Sequence, residues 1–227
     1  MIKTISFLCL WLGFILYAIF FSPPDNPETL GLIINLSSGK WEGINPLIVS
    51  LFNIMGILPF IYASLLIIDG RNQKIKAFPF VIGSFFLGAF ALLPYFAFRQ
   101  SNITFSGEKN LLIKILDSRL FSIILTLSCL SLIFIAITKG DWQDFILQWK
   151  TSKFIHIMTL DFCVLCLLFP AIVGDDLTRR EINNKNIFWL ITFIPLIGTL
   201  FYLCFRPSLS TNQNNFTSSV DNVSSIN

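Results

Sequence analysis

Asp161 stands near the middle of an apolar run, Phe154 to Gly174, that is long enough to cross a membrane. A carboxylate at that depth costs about 3 kcal/mol on insertion scales, so such residues face a protein interior and often mark a site. In a water-poor cavity the group can serve as a general acid or proton acceptor. The structural alternative is a hydrogen-bonded aspartate that fixes helix register. On its own helix the residues three and four positions away are Ile157, Met158, Val164 and Leu165, none of which can pair with it. His156, the chain's one histidine, is five residues away and about 140° around the helix, which puts it out of direct reach. The expected partner is therefore on another helix. Asn53, midway along a second apolar run and able to donate from its amide, is the first choice, with Tyr62, Ser84, Tyr95, Thr126, Ser128 and Tyr202 behind it. Asp161 and Asn53 are the candidate catalytic residues.

Two other patterns carry chemistry in other contexts. Asp175-Asp176, followed by Arg179-Arg180, places paired carboxylates at a membrane surface, as in Mg²⁺-diphosphate sites, but no second acid-rich segment accompanies it. The favoured reading is a solvated helix end. Cys163-x-x-Cys166 has the spacing of a redox pair or of half a zinc site, yet no second pair accompanies it and it sits at lipid depth, where cysteine behaves as a small hydrophobe. No cofactor or metal is expected.

The elements that must position these residues are apolar helices. Hydrophobic side chains make up 54% of the 227 residues and charged ones only 13%, against about 25% in an ordinary soluble domain. Six runs fit the roughly 17 to 25 residues a crossing needs, at 5–21, 46–68, 78–98, 120–138, 154–174 and 187–205. The expectation is an all-α polytopic membrane protein, a bundle of about six transmembrane helices over 1–207 with a disordered polar tail at 208–227. The first run ends in Phe-Phe-Ser-Pro-Pro without a small-residue cleavage site, which predicts a retained helix. Short interfacial helices are expected at Leu30–Asn35, within the loop Gln100–Ser118, and at Trp142–Trp149. Prolines 59, 94, 170 and 195 fall inside the runs and should bend them, freeing carbonyls for neighbouring helices to satisfy.

A net charge of +3 without a basic block argues against nucleic acid as a partner. Under six crossings the sixteen Lys and Arg residues divide equally between the two sides, so the positive-inside rule sets no orientation. Short second and fourth loops with three cations each favour cytoplasmic termini. Partners are the lipid bilayer and either a membrane protein or a second copy of the chain.

The fifth and sixth runs combine the intramembrane Asp161, the Asp175/Asp176 to Arg179/Arg180 exit, and Pro195-x-x-Gly198-x-x-x-Tyr202-x-x-x-Arg206. With Asn53-Ile54-Met55-Gly56 and Leu92-Leu93-Pro94-Tyr95, they make residues 45–207 resemble an uncharacterised family of multi-spanning membrane proteins of cyanobacteria and chloroplasts. The style is also similar to the membrane family linked to neoxanthin synthesis, whose histidine-containing segment is matched only by His156. The resemblance implies a thylakoid or bacterial plasma membrane. Two functions follow as expectations: a non-enzymatic accessory or assembly component, or a membrane enzyme acting on an isoprenoid, carotenoid or lipid with Asp161 as acid and Asn53 orienting it. A transporter ranks below both, because neither a repeat nor a discontinuous helix is evident.

Overall fold

The computed structural model describes residues 2–71, 73–105 and 108–209, and all regular structure among them is helical. Four helices are long and apolar enough to cross a membrane: α1 (Ile2–Phe20), α3 (Pro46–Asp69), α7 (Arg119–Lys139), and the pair α9 (Lys153–Leu168) and α10 (Pro170–Arg179), which continue one another. Between them lie α2 (Thr29–Ser38), α4 (Ala77–Leu87), α5 (Ala89–Phe98), α6 (Leu111–Leu116), α8 (Trp142–Thr151), α11 (Lys185–Phe193) and α12 (Pro195–Phe205). The short helices α2, α6 and α8 occupy the three segments where interfacial helices are expected.

The third and sixth apolar runs, each expected as one crossing, do not form single rods: each folds as a hairpin of two short helices. At Gly88 the chain reverses. Phe80 and Tyr95 rings lie 5.7 Å apart, a Cβ on Gly83 would stand 3.2 Å from that of Ala91, and the Gln100 amide donates to Gln73 Oε1 at 2.9 Å. Both ends of α4–α5 therefore sit beside Asp69. The second reversal falls at Ile194–Pro195, where proline can open a helix but cannot continue one. Leu190 O would be 2.9 Å from a Cβ on Gly198, so this close crossing requires glycine. Helices of 11, 10, 9 and 11 residues reach only about half of a 30 Å hydrocarbon core at 1.5 Å per residue.

The bundle thus has two ends. The proximal end gathers Ile2, Asp69, Arg99, Asp117, Asp176, Lys185 and Arg206, and both hairpins dip from it. The distal end gathers Phe20, Pro46, Gly140 and Lys153, covered by α2 and α8. Asn45 ties that cover down: its Oδ1 accepts from Leu47 N at 3.0 Å as the α3 cap, while its Nδ2 donates to Asp144 Oδ2 at 2.7 Å in α8.

Helix α3 is central, with 56% of its most apolar window buried, whereas α1 lies outermost with 6%. Around α3 the core closes on Tyr62, Phe96 and Phe169. The Tyr62 ring stacks on Phe169 at 4.8 Å and meets Phe96 edge-on at 6.2 Å. Pro170 explains the Tyr62 hydroxyl. The Phe169 N–H reaches Cys166 O at 3.5 Å, and Tyr62 donates to the Leu165 carbonyl. Leu209 is buried against Ile68 and Ile113, and the tail expected to be disordered lies, from residue 210, outside the described residues.

The hairpins make a labelling prediction. In a cysteine-free background, Lys74→Cys and Thr104→Cys, both exposed, should react with a membrane-impermeant maleimide from the same side, and Lys40→Cys and Gln143→Cys from the other. Six crossings would put positions 74 and 104 on opposite sides.

Candidate functional site

The site is built at the apex of the α4–α5 hairpin. A helix that begins in the bilayer leaves its first N–H groups without water, and each must find an acceptor. Asp161 on α9 supplies one: its Oδ1 accepts from Ala89 N at 2.7 Å. A carboxylate also suits the positive end of the helix dipole. Gly88 makes the approach feasible. Its φ of +50° is unfavourable for other residues, and a Cβ there would stand 1.7 Å from Asp161 Oδ2. Trp11 on α1 braces the same turn by donating from Nε1 to Phe90 O at 2.9 Å, and Phe14 stacks on Phe90 at 4.2 Å.

Asp161 Oδ2 has no hydrogen-bond partner among the described residues, and Asp161 lines a cavity of about 520 Å³. The walls are Phe52, Met55 and Gly56 of α3, Phe85, Phe86 and Phe90 of the hairpin, and Phe154, Ile157 and Met158 of α9. At the distal mouth stand Asp25 and Lys153, paired at 3.3 Å. The cavity therefore runs from the distal surface to mid-depth, apolar along its walls and polar at both ends. Backbone that leaves the helix at membrane depth is tolerated where it lines such a space.

The expected pairing of Asp161 with Asn53 is not what forms. Asn53 Nδ2 donates to Val49 O at 2.8 Å, one turn back on its own helix, and the residue does not line the cavity. A backbone N–H took its place because the third run breaks at Gly88. The expectation that no helix is discontinuous is corrected by the same break. Ser84 donates to Val81 O at 2.7 Å and serves the hairpin, although it touches the cavity. His156 stands clear of Asp161's bonds. Its Nδ1 lies 2.9 Å from Trp149 O and so donates, while Nε2 is hydrogen-bonded to the Tyr17 hydroxyl at 2.8 Å. The imidazole links α1, α8 and α9.

Asp175 and Asp176 are the second correction, because they are not a solvated helix end. At the proximal end they enter a buried ion network with Asp69. Asp69 accepts from Tyr95 at 2.9 Å, from Arg99 Nε at 2.8 Å and Nη2 at 2.7 Å, and from Arg179 Nη2 at 3.2 Å. Asp176 accepts from Arg179, Arg180, Tyr202 and Arg206 at 2.9, 3.0, 2.7 and 3.0 Å. Asp175 takes Arg99 and, at 2.8 Å, Ser101. Every acid is spoken for by arginines, and among the described residues no three His, Cys, Asp or Glu side chains gather as metal ligands. Cys163 and Cys166 are free thiols.

No family model, curated protein or solved structure matches this chain. Its chemistry has to be read from its own geometry.

Two predictions follow from these bonds. Asp161→Ala leaves the Ala89 N–H buried and unpaired and should cost about 1–3 kcal/mol, whereas Asp161→Asn keeps an acceptor oxygen and should cost less. Thermal unfolding in detergent ranks the two. At the network's edge, burial opposes charge on Asp117, but Arg180 at 2.8 Å and Lys109 at 2.9 Å outweigh it and hold the carboxyl below the usual carboxylate range. A depressed folded pKa contributes stability that is complete above the unfolded value, about 3.9, and is lost as pH falls through the folded one. Asp117→Asn should therefore lower Tm at pH 7, with the gap to wild type closing as the pH drops below about 4.

Proposed function

We propose that this chain is a multi-pass integral membrane protein with four crossings and two re-entrant hairpins, a non-enzymatic accessory or assembly component that holds an apolar or amphiphilic molecule in the Asp161 cavity. The supporting observation is the cavity itself: aromatic and methionine walls, a lone carboxylate at its base, and a charged pair at its mouth. An occupant with an extended apolar body and a hydroxyl or amine at one end satisfies all three. A thylakoid or bacterial plasma membrane is the proposed location, on the resemblance of residues 45–207 to the cyanobacterial and chloroplast family.

Orientation follows from the hairpins. With both dipping from the proximal end, Lys40, Lys139, Lys150 and Lys153 are the distal cations, and the other twelve of the sixteen are proximal. The positive-inside rule then puts the proximal end, with the described stretches next to both termini, on the cytoplasmic or stromal side. The equal division expected for six crossings disappears because the first hairpin moves every cation from Arg99 to Lys185 to the other side, and the second hairpin keeps Arg206 where it was.

One observation favours the second reading, an enzyme acting on an isoprenoid, carotenoid or lipid: Asp161 Oδ2 is left without a partner at the cavity base. In that reading Asp161 is the acid, and Asn53, bonded to its own helix, has no part.

Gly56 allows a clean test, because a Cβ there meets nothing within 4 Å and the residue lines the cavity. Gly56→Phe should fill the space, keep the wild-type Tm, and remove an apolar molecule that copurifies with the wild type and is seen by mass spectrometry of the extract. Identical extracts from the two proteins would sink the binding reading. Gene deletion with lipid and pigment profiling separates the enzyme: a profile that changes on deletion and is not restored by Asp161→Asn, while Gly56→Ala restores it, would favour catalysis.

A further inference from the structure

A second pocket, of about 380 Å³, opens at the proximal end where α6 meets α7, and its lining is cationic: Lys109, Lys114, Arg119 and Arg206, with Ser118, Ser208 and Asp117. Asp117 is the lone acid in that lining, and it is occupied by Lys109 and Arg180. Lys114 and Arg119 are exposed and form no ion pair among the described residues. Arg206 is 3% exposed and is held from behind by Asp176 and by Leu116 O at 3.1 Å, yet its Nε finds no partner among the described residues. The α7 N-terminus adds to the field, since Ser118 Oγ accepts only the Phe121 N–H, at 3.2 Å, from a first turn that favours negative charge.

Charge alone would suit any anion. The position decides between them. Helix α7 enters the apolar zone directly at Arg119, and Leu120, Ile124 and Leu127 follow at helical spacing with exposures of 69%, 52% and 60%. Leu111, Leu112 and Ile115 of α6 are exposed beside them. An occupant with a phosphate and two long chains would meet cations at one end and an unbroken apolar stripe at the other.

We infer that this pocket binds the headgroup phosphate of an anionic phospholipid, with Lys114 and Arg119 as the primary contacts, Arg206 at the floor, and the acyl chains laid along α7. The assignment is independent of the Asp161 cavity, which opens at the opposite end. An anionic lipid here would neutralise the excess of cations around Asp117 and fix the α6–α7 junction against the ion network.

The test is a thermal-shift titration of the full chain in a non-ionic detergent with phosphatidylglycerol, phosphatidylcholine or inorganic phosphate. Phosphatidylglycerol should raise Tm saturably, and less so at high salt; phosphatidylcholine and phosphate should not. The double variant K114Q/R119Q removes two exposed, unpaired cations, so its lipid-free Tm should match the wild type while its apparent affinity for phosphatidylglycerol falls about tenfold to thirtyfold. An equal response to phosphatidylcholine, a response reproduced by phosphate alone, or an unchanged affinity in the double variant would each overturn the assignment.

Discussion

Asp69 and Asp176, two fully buried carboxylates surrounded by four arginines and two tyrosines, hold the proximal end of the molecule together. Charge at 0% exposure is tolerable only when it is paired and its lone pairs are filled, and removing one partner of such a pair costs about 3–5 kcal/mol. The network satisfies that condition by drawing on four helices and the residues that cap them: Asp69 from α3, Tyr95 of α5 with its cap Arg99, Arg179 of α10 with its cap Arg180, and Tyr202 of α12 with its cap Arg206. The two hairpins return to the proximal surface because their last residues are committed there. A straight α4–α5 or α11–α12 rod would carry Arg99 or Arg206 to the far side and strand its carboxylate.

The same constraint explains the apex. A hairpin pinned at both feet must turn inside the bundle, and a turn exposes backbone donors that need acceptors. Asp161 is the answer to one of them. Its position near the middle of α9 matches the depth at which a ten-residue helix ends, and Gly88 supplies the backbone conformation and the absent side chain that the approach needs. Above the apex the half of the bundle that the hairpin does not fill is left as the aromatic cavity. Asp161 therefore holds the hairpin backbone through Oδ1 and lines the space beside it.

Much of this was legible one residue at a time. Asp161 announced itself by its depth, Pro170 by the bend that frees a carbonyl for a neighbouring helix, and the segment Trp142–Trp149 as the short helix α8. What misled was length: runs 78–98 and 187–205 are as long as a crossing, and hydropathy is blind to reversal. The signals that could have separated them are Gly88 and Pro195 near the midpoints of those runs, together with Arg99 and Arg206 directly after them. Asn53 failed as a partner because an asparagine inside a helix has a carbonyl of its own within reach, which a linear reading undervalues.

By itself the sequence determined that the chain is helical, suited to lipid, and marked by a mid-depth acid, because those properties are sums over local composition and period. Only the tertiary structure decided which way each run travels, which end the cations share, and what Asp161 touches. Those outcomes depend on pairing buried charges and backbone donors across helices far apart in the chain. The partner that closes each account, Arg99 for Asp69 or Ala89 for Asp161, is 30 and 72 residues away respectively, beyond any local pattern.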